Sequence, residues 1–102
     1  SCLDYFDGKH FQKINDKVLS VSSITFIMED KKGDVWVATE ADGLFLLRYN
    51  GTTYERVKQF FEIGNKFLQP GCRIVEDKNG IIWVATYGNG LFKIENEVAT
   101  LV

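Results

Sequence analysis

The segment EDKKGDVWVATEADGLF, residues 29–45, recurs as EDKNGIIWVATYGNGLF at residues 76–92. The two copies align without a gap, 47 residues apart, and eleven of the seventeen positions are identical. A partial third copy precedes them, because YFDGKHFQKI at residues 5–14 parallels RYNGTTYERV at residues 48–57. A period of this size is typical of architectures in which each repeat is one supersecondary unit stacked on the next.

Each repeat predicts four antiparallel β-strands joined by tight turns. The turn signals are DKKG, EADG and the hairpin dipeptide NG, and they separate runs that are rich in β-forming residues. The predicted strands are residues 23–29, 35–39, 44–49 and 54–58, then 72–76, 82–86, 91–95 and 98–102, with two more at 2–6 and 10–14. The runs VWVA and LFLL have no polar positions, which indicates strands that are buried on both faces.

Four-stranded units that are buried on both faces and repeat at this period predict the blades of a β-propeller. The expected fold class is therefore all-β, a β-propeller fragment of about two and a half four-stranded antiparallel blades. The predicted parts are a half-blade of two outer strands at residues 1–16, a first full blade at 21–58, an inter-blade linker at 59–71 and a second full blade at 72–102. Because 102 residues hold two blades and a remainder, we interpret the sequence as a piece of a larger ring.

Composition and charge exclude several classes of function. Fourteen acidic and twelve basic residues leave a net charge of −2, so no nucleic-acid partner is expected. The longest apolar runs fall well short of the roughly 20 residues of a membrane-spanning helix, so we expect no membrane contact by this segment.

Residues that recur at the same place in both repeats are interpreted as structural. A blade-forming residue is needed in every blade, whereas a catalytic residue is needed once. A carboxylate at the start of a DKxG turn can accept backbone N–H bonds, and a recurring tryptophan fits packing between blades better than stacking on a sugar ring. The positions assigned to the structural motif are Asp30, Gly33, Trp36, Gly43, Asp77, Gly80, Trp83 and Gly90.

No catalytic, metal or cofactor site is assigned. His10 is the single histidine, and the sequence offers no Ser/His/Asp arrangement, so the segment is not expected to be an enzyme. Cys2 and Cys72 form no metal-binding motif, and their predicted positions in different blades argue against a disulfide.

Ligand contacts are expected in the loops that do not repeat. The linkers between fourth and first strands, with the loops between second and third strands, would line one end of a propeller. These loops are residues 15–22, 59–71, 40–43 and 87–90. The candidate ligand-binding residues in or beside them are Glu40, Asp42, Arg73, Tyr87 and Asn89.

The pattern I-x-x-I-x-E-D-x-x-G-x-x-W-V-A-T-x-x-x-G-L-F resembles the two-component regulator propeller repeat, with matches over residues 27–45 and 74–92. Such repeats build the periplasmic sensor region of hybrid two-component regulators. The resemblance therefore implies an extracytoplasmic, non-catalytic ligand-sensing segment that responds to a poly- or oligosaccharide. Independently of the resemblance, two and a half blades would leave two apolar end faces, so we expect other propeller blades or self-association through exposed blade faces as partners. A purely structural or assembly segment, or a piece of a lyase-like propeller enzyme, are the alternatives.

Overall fold

The structure is a computed structural model that describes residues 8–102, except for the side chains of residues 8, 9, 71 and 72. One helical turn, α1 (Gly8–Phe11), precedes the strands. The strands are β1 (Ile24–Glu29), β2 (Val35–Thr39), β3 (Leu44–Tyr49), β4 (Tyr54–Phe60), β5 (Glu62–Ile63), β6 (Lys66–Phe67), β7 (Pro70–Glu76), β8 (Ile82–Thr86), β9 (Leu91–Glu95) and β10 (Val98–Leu101). No helix within the described range is long and apolar enough to cross a membrane.

The strands form two four-stranded antiparallel sheets in chain order, β1–β4 and β7–β10, with the small hairpin β5–β6 between them. Both sheets keep the same register. Val37 lies opposite Ile27 and Phe45 in the first sheet, and Val84, 47 residues later, holds the same place in the second. The all-β fold class expected from the repeat is confirmed, and each sheet is one propeller blade.

The N-terminal part differs from the prediction. Instead of a strand at residues 10–14, the chain forms α1 and a turn, and only Ile14 bridges to Tyr54. The carbonyls of His10 and Phe11 accept local N–H bonds from three residues ahead, so their backbone does not pair with β4. The half-blade is therefore not seen over residues 8–16, and the strand predicted at residues 2–6 lies outside the described residues, as do the side chains of Cys2 and Cys72.

The inter-blade linker predicted at residues 59–71 is shorter in the structure. Strand β4 runs on to Phe60, and β7 already begins at Pro70. The hairpin β5–β6 fills the space between them, so the linker has pairing of its own.

The main core lies between the two blades. Leu68 of the linker and one face from each sheet form it. The first blade contributes Phe26, Trp36, Ala38, Leu44, Leu46 and Phe60, and the second contributes Ile74, Ile82, Val84, Phe92 and Ile94. These two faces are not repeat-equivalent. The first blade contributes the face that carries Trp36, its tryptophan face, and the second blade contributes the face that carries Val84, its valine face. The tryptophan face of the second blade therefore takes no part in the contact between the two blades.

The other face of the first blade is covered by the segment at residues 10–22, which we call the N-terminal cover. Leu19 is buried there among the side chains of β2 and β3. The Arg56 guanidinium holds both carboxylate oxygens of Asp16, at 2.8 and 2.9 Å, which fixes the cover to β4. With covers on both sides, all five residues of β2 are buried.

Polar contacts at the blade edge show that the N-terminal cover stands in for a blade. Between the blades, the Glu76 carboxylate accepts the backbone N–H of Lys31 at 2.9 Å. The repeat-equivalent carboxylate in the first blade is Glu29, and it contacts Nε2 of His10 at 2.7 Å. The N-terminal cover therefore packs on the valine face of the first blade, just as the first blade packs on the valine face of the second blade.

The second blade has an open face in the described structure. Along β8 only Ile82 and Val84 are buried, whereas every residue of β2 is. Val75 is 45% exposed and Leu91 is 40% exposed on this side, with Trp83 half-buried between them. This apolar surface, which we call the open face, has the residue types that form the core in the first blade.

Candidate functional site

The recurring aspartate of each blade organises a turn and a tryptophan. One carboxylate oxygen of Asp30 accepts the backbone N–H groups of Lys32 and Asp34, at 2.9 and 3.0 Å. The other accepts the indole Nε1–H of Trp36 at 2.9 Å, and Gly33 closes the turn with an N–H bond to the Asp30 carbonyl. Both carboxylate oxygens of Asp30 are therefore engaged by the chain itself.

Asp77 repeats this arrangement in the second blade. Its carboxylate accepts N–H bonds from Asn79 and Ile81 and the indole N–H of Trp83 at 2.9 Å, while Gly80 closes the turn. The hydrogen bond from the Trp83 indole is the largest influence on this carboxyl and holds its pKa below the usual aspartate value. These groups build the blade.

A cleft of about 590 Å³ opens beside the starts of β1 and β7, the first strand of each blade, which we call the inner strands. Its polar lining comes from Thr25 of β1, Glu40 after β2, Gln69 of the linker and Tyr87 after β8. Ile24, Ala41 and Pro70 supply the apolar lining. The cleft thus draws on loops of both blades, as expected for a binding site at one end of a propeller.

The repeat brings Glu40 and Tyr87 to this cleft together. They hold equivalent positions, and each donates its backbone N–H to the residue before an inner strand, Glu40 to Ser23 and Tyr87 to Gln69. The register slips in both inner strands here, between Ile24 and Phe26 in β1 and between Pro70 and Ile74 in β7. Residues at both irregular strand starts, Ile24 and Pro70, line the cleft.

A second, smaller cleft of about 270 Å³ adjoins the first and shares Glu40, Ala41 and Gln69 with it. Phe61 and Phe67, from the hairpin segment, line its far side. Their rings meet edge to face with centroids 5.6 Å apart, and Phe67 is 58% exposed. The two clefts together form a continuous surface of aromatic and hydrogen-bonding side chains.

Two of the predicted ligand-binding residues hold the loops in place instead of lining either cleft. The Asp42 carboxylate accepts a 2.6 Å hydrogen bond from the Ser22 hydroxyl. At the equivalent position, the Asn89 amide donates to the Phe67 carbonyl at 2.9 Å. In each blade, this hydrogen bond holds the loop between the second and third strands against the segment that precedes the blade. These polar groups of Asp42 and Asn89 are therefore used within the fold.

Arg73 also lies away from both clefts. It occupies the position of Phe26 in the first blade, on the tryptophan face, and therefore belongs to the open face of the second blade. Alternation along a strand places this side chain on the face that its neighbour Ile74 does not use. The proximity of Arg73 to the loops in sequence did not reveal this orientation.

Among the lining residues that the sequence did not single out as ligand-binding are Thr25, Phe61, Phe67 and Gln69. Three of them lie in the non-repeating stretch at residues 59–71, which was a usable signal. Thr25 gave no signal, because it lies within a predicted strand. Its Oγ1 is the single buried side-chain polar atom that lacks a hydrogen-bond partner among the residues described.

The clefts carry little charge. Glu40 is the one charged side chain that lines them within the described chain. Over the same residues, no group of three or more His, Cys, Asp or Glu side chains lies close enough to hold a metal ion. The site is suited to binding an organic molecule through ring stacking and hydrogen bonds.

Two segments, residues 18–41 and 71–88, match the family model of the two component regulator propeller. They cover the β1–β2 half of the first blade, with the end of the N-terminal cover, and the β7–β8 half of the second. Comparison with curated proteins and with solved structures found no match.

Proposed function

Because the protein carries two repeats of the two component regulator propeller, we propose that it is a ligand-sensing segment of such a regulator. The proposed receptor site is the pair of adjoining clefts where the two blades meet. The segment acts by binding and performs no reaction, and we place it outside the cytoplasm, as the resemblance to periplasmic sensor regions implies. The observation that carries this proposal is that, apart from Gly43, the clefts are lined by residues that are not the same in the two repeats.

The contrast between repeating and non-repeating residues supports a binding role. The turn aspartates and the tryptophans are the same in both blades and make the same bonds. Glu40 and Tyr87 hold equivalent positions, yet one is a carboxylate and the other a phenol. A position whose backbone role is fixed but whose side chain varies is free to serve ligand specificity.

The proposed ligand is a poly- or oligosaccharide. Sugar rings have apolar faces and hydroxyl edges, and they are bound by aromatic rings together with amide, hydroxyl and carboxylate groups. The clefts present these groups through Phe67 and Tyr87 on one hand and Gln69 and Glu40 on the other. At about 590 and 270 Å³ they offer room for a short oligosaccharide.

Calorimetric titration with a panel of oligosaccharides tests this proposal. We expect at least one to bind, and we expect Tyr87→Ala and Phe67→Ala each to weaken binding by about tenfold, or roughly 1.4 kcal/mol. Val98→Ala removes a comparable exposed apolar side chain outside the clefts, so it should leave affinity unchanged. Failure of every saccharide to bind, or equal binding by the cleft variants and the wild type, would contradict the proposed function.

The open face of the second blade supports a second function, which is assembly. The partner would be another propeller blade or a second copy of this chain, because Trp83, Ala85 and Leu91 repeat the residues that Trp36, Ala38 and Leu44 bury between the blades. Burial of such a surface is the usual driving force for association.

Sedimentation analysis at micromolar concentration distinguishes the assembly role. We expect the chain to self-associate, and Leu91→Lys to shift it toward the monomer by placing a charge on the open face. Val57→Lys, on an exposed part of β4 in the first blade, is the matched control. A stable wild-type monomer would contradict self-association.

A further inference from the structure

We infer that the clefts select a ligand that carries a positively charged amino group, with the Glu40 carboxylate as its counter-charge; this rests on the proposed ligand-binding role of the same clefts. The chemical class is an ammonium group attached to a ring-shaped or apolar carrier, as in an amino sugar or an amine-bearing peptide.

The surface of the two clefts carries a single charged side chain among the described residues. Glu40 lines both clefts, so a ligand seated in either of them meets its carboxylate. No other charged side chain of the described residues lines them. A single carboxylate beside an otherwise neutral, partly apolar wall favours cationic over anionic ligands and gives a ligand cation its one strong partner.

Among the described residues, no side chain neutralises the Glu40 carboxylate. The ion pairs of this part of the chain join other groups: Arg48 pairs with Asp34 and Glu97, Arg56 with Asp16, and His10 with Glu29. Lys58 donates to the Glu97 carbonyl at 2.7 Å. No cation within residues 10–102 forms an ion pair with Glu40.

The fold does not require a charge at the position of Glu40. In the second blade the equivalent residue is Tyr87, and it makes the same backbone bond to the linker as Glu40 does. The side chain of Glu40 therefore has no structural duty that would explain a carboxylate. A ligand contact would explain it.

Aromatic rings form one wall of the smaller cleft. Phe61 and Phe67 line the same cleft as Glu40. An ammonium group placed between a carboxylate and an aromatic face gains from both, because the negative face of the ring attracts the cation. The same rings also accept the apolar face of a sugar.

The test is a calorimetric titration of the full chain with a glucosamine oligosaccharide and with its fully N-acetylated counterpart, at pH 6 and low salt. The two probes share ring and linkage, but the first carries ammonium groups and the second is neutral. We expect the glucosamine oligosaccharide to bind at least about tenfold more tightly, and Glu40→Gln to abolish that preference. Added salt should weaken binding of the charged probe alone. A lysine-containing peptide forms a separate arm, and binding of the peptide but of neither saccharide would assign the amine to a peptide source.

Glu95→Gln is the matched control, because Glu95 is an exposed carboxylate on β9 that lines neither cleft. Equal or tighter binding of the N-acetylated probe, or an unchanged preference in Glu40→Gln, would overturn the inference while leaving the proposed saccharide sensing intact. Absence of binding by every probe, with the melting curves of all variants normal, would overturn both.

Discussion

The indole Nε1 of Trp36 donates a 2.9 Å hydrogen bond to Oδ2 of Asp30, six residues earlier in the chain. The bond links the turn between β1 and β2 to a side chain that lies in the core between the blades, where Trp36 is 4% exposed. Trp36 also stacks on Phe60 of β4, with ring centroids 5.8 Å apart. One carboxylate thus fixes both the turn and the orientation of the largest side chain in the interface.

Replacement of Asp30 by Asn should destabilise the fold by about 1–3 kcal/mol. An amide has a single acceptor oxygen, so either the turn N–H groups or the buried Trp36 indole would lose their acceptor. Urea denaturation of the variant measures the free energy of unfolding. Asp77→Asn makes the same change at a half-buried site and should cost less, so equal losses at both sites would contradict the role of burial.

Trp36→Ala should lower the free energy of unfolding by roughly 3–5 kcal/mol, because it opens a large cavity between the blades. Trp83→Ala removes the equivalent side chain from the open face and should cost less than about half as much. Thermal and chemical denaturation of both variants give the comparison. The comparison is made at a dilution where the chain sediments as a monomer, and a similar loss for the two variants there would contradict an open tryptophan side on the second blade.

The stability of the protein should fall when the pH drops below about 5. The Trp83 hydrogen bond holds the pKa of folded Asp77 below its ordinary value, so the ionised carboxylate stabilises the fold above the unfolded pKa of about 3.9. That contribution is lost as the pH falls through the lowered pKa of the folded state. Trp83→Phe removes the bond, and a plot of unfolding free energy against pH between 3 and 6 should become flatter. An unchanged slope would exclude this bond as the cause.

Gly43→Ala should destabilise the protein more than Gly90→Ala, although both glycines have positive φ angles in equivalent turns. A Cβ at Gly43 would lie 2.3 Å from the Phe60 carbonyl oxygen, whereas one at Gly90 would meet a flexible Leu101 methyl at 3.4 Å. In both variants the alanine must adopt the left-handed backbone conformation, which costs about 1–2 kcal/mol of stability. Only Gly43→Ala adds a clash with the backbone, at the Phe60 carbonyl oxygen. Differential scanning calorimetry should therefore show the lower melting temperature for Gly43→Ala, and the reverse order would contradict the packing around Gly43.

Thr25→Val should leave the stability unchanged or raise it by about 1 kcal/mol, because it replaces an unsatisfied buried hydroxyl with a methyl group of similar shape. Thr25→Ser keeps the hydroxyl and provides the control. Denaturation curves decide the outcome, and a clear loss of stability in the valine variant would show that the hydroxyl has a partner in solution.

Much of the fold was predictable because the repeat is local. The DKxG turns, the NG hairpin and the apolar runs lie within short stretches of chain, so strand positions and antiparallel order followed from them. The segment at residues 10–14 was predicted wrongly because its likeness to 48–57 concerns side-chain pattern. The carbonyls of His10 and Phe11 accept hydrogen bonds from the N–H groups of Lys13 and Ile14, so this backbone forms local turns instead of pairing along β4.

The candidate site was predictable only in part. The positions of Glu40 and Tyr87 followed from the expected loops at one end of the blades, and both line the larger cleft. Asp42 and Asn89 lie in the same loops, but their short side chains turn back to bond the linkers. Which loop residues face a cleft depends on how two linkers of unequal length cross the sheet ends, and no local pattern encodes that.

The strand sequences VWVAT of β2 and IWVAT of β8 are nearly the same, but the two strands differ in burial. By itself the sequence determined that both are β-strands of the same register, because turns and periodicity act within one repeat. It did not determine that the first is buried at every position and the second at alternate positions. Burial depends on what covers each face. The first blade lies between the second blade and the N-terminal cover. Among the described residues, the second blade is covered only on its valine face, by the first blade. The same residues therefore form a core in one blade and an exposed surface in the other, because hydrophobic burial is a property of neighbours and not of the strand.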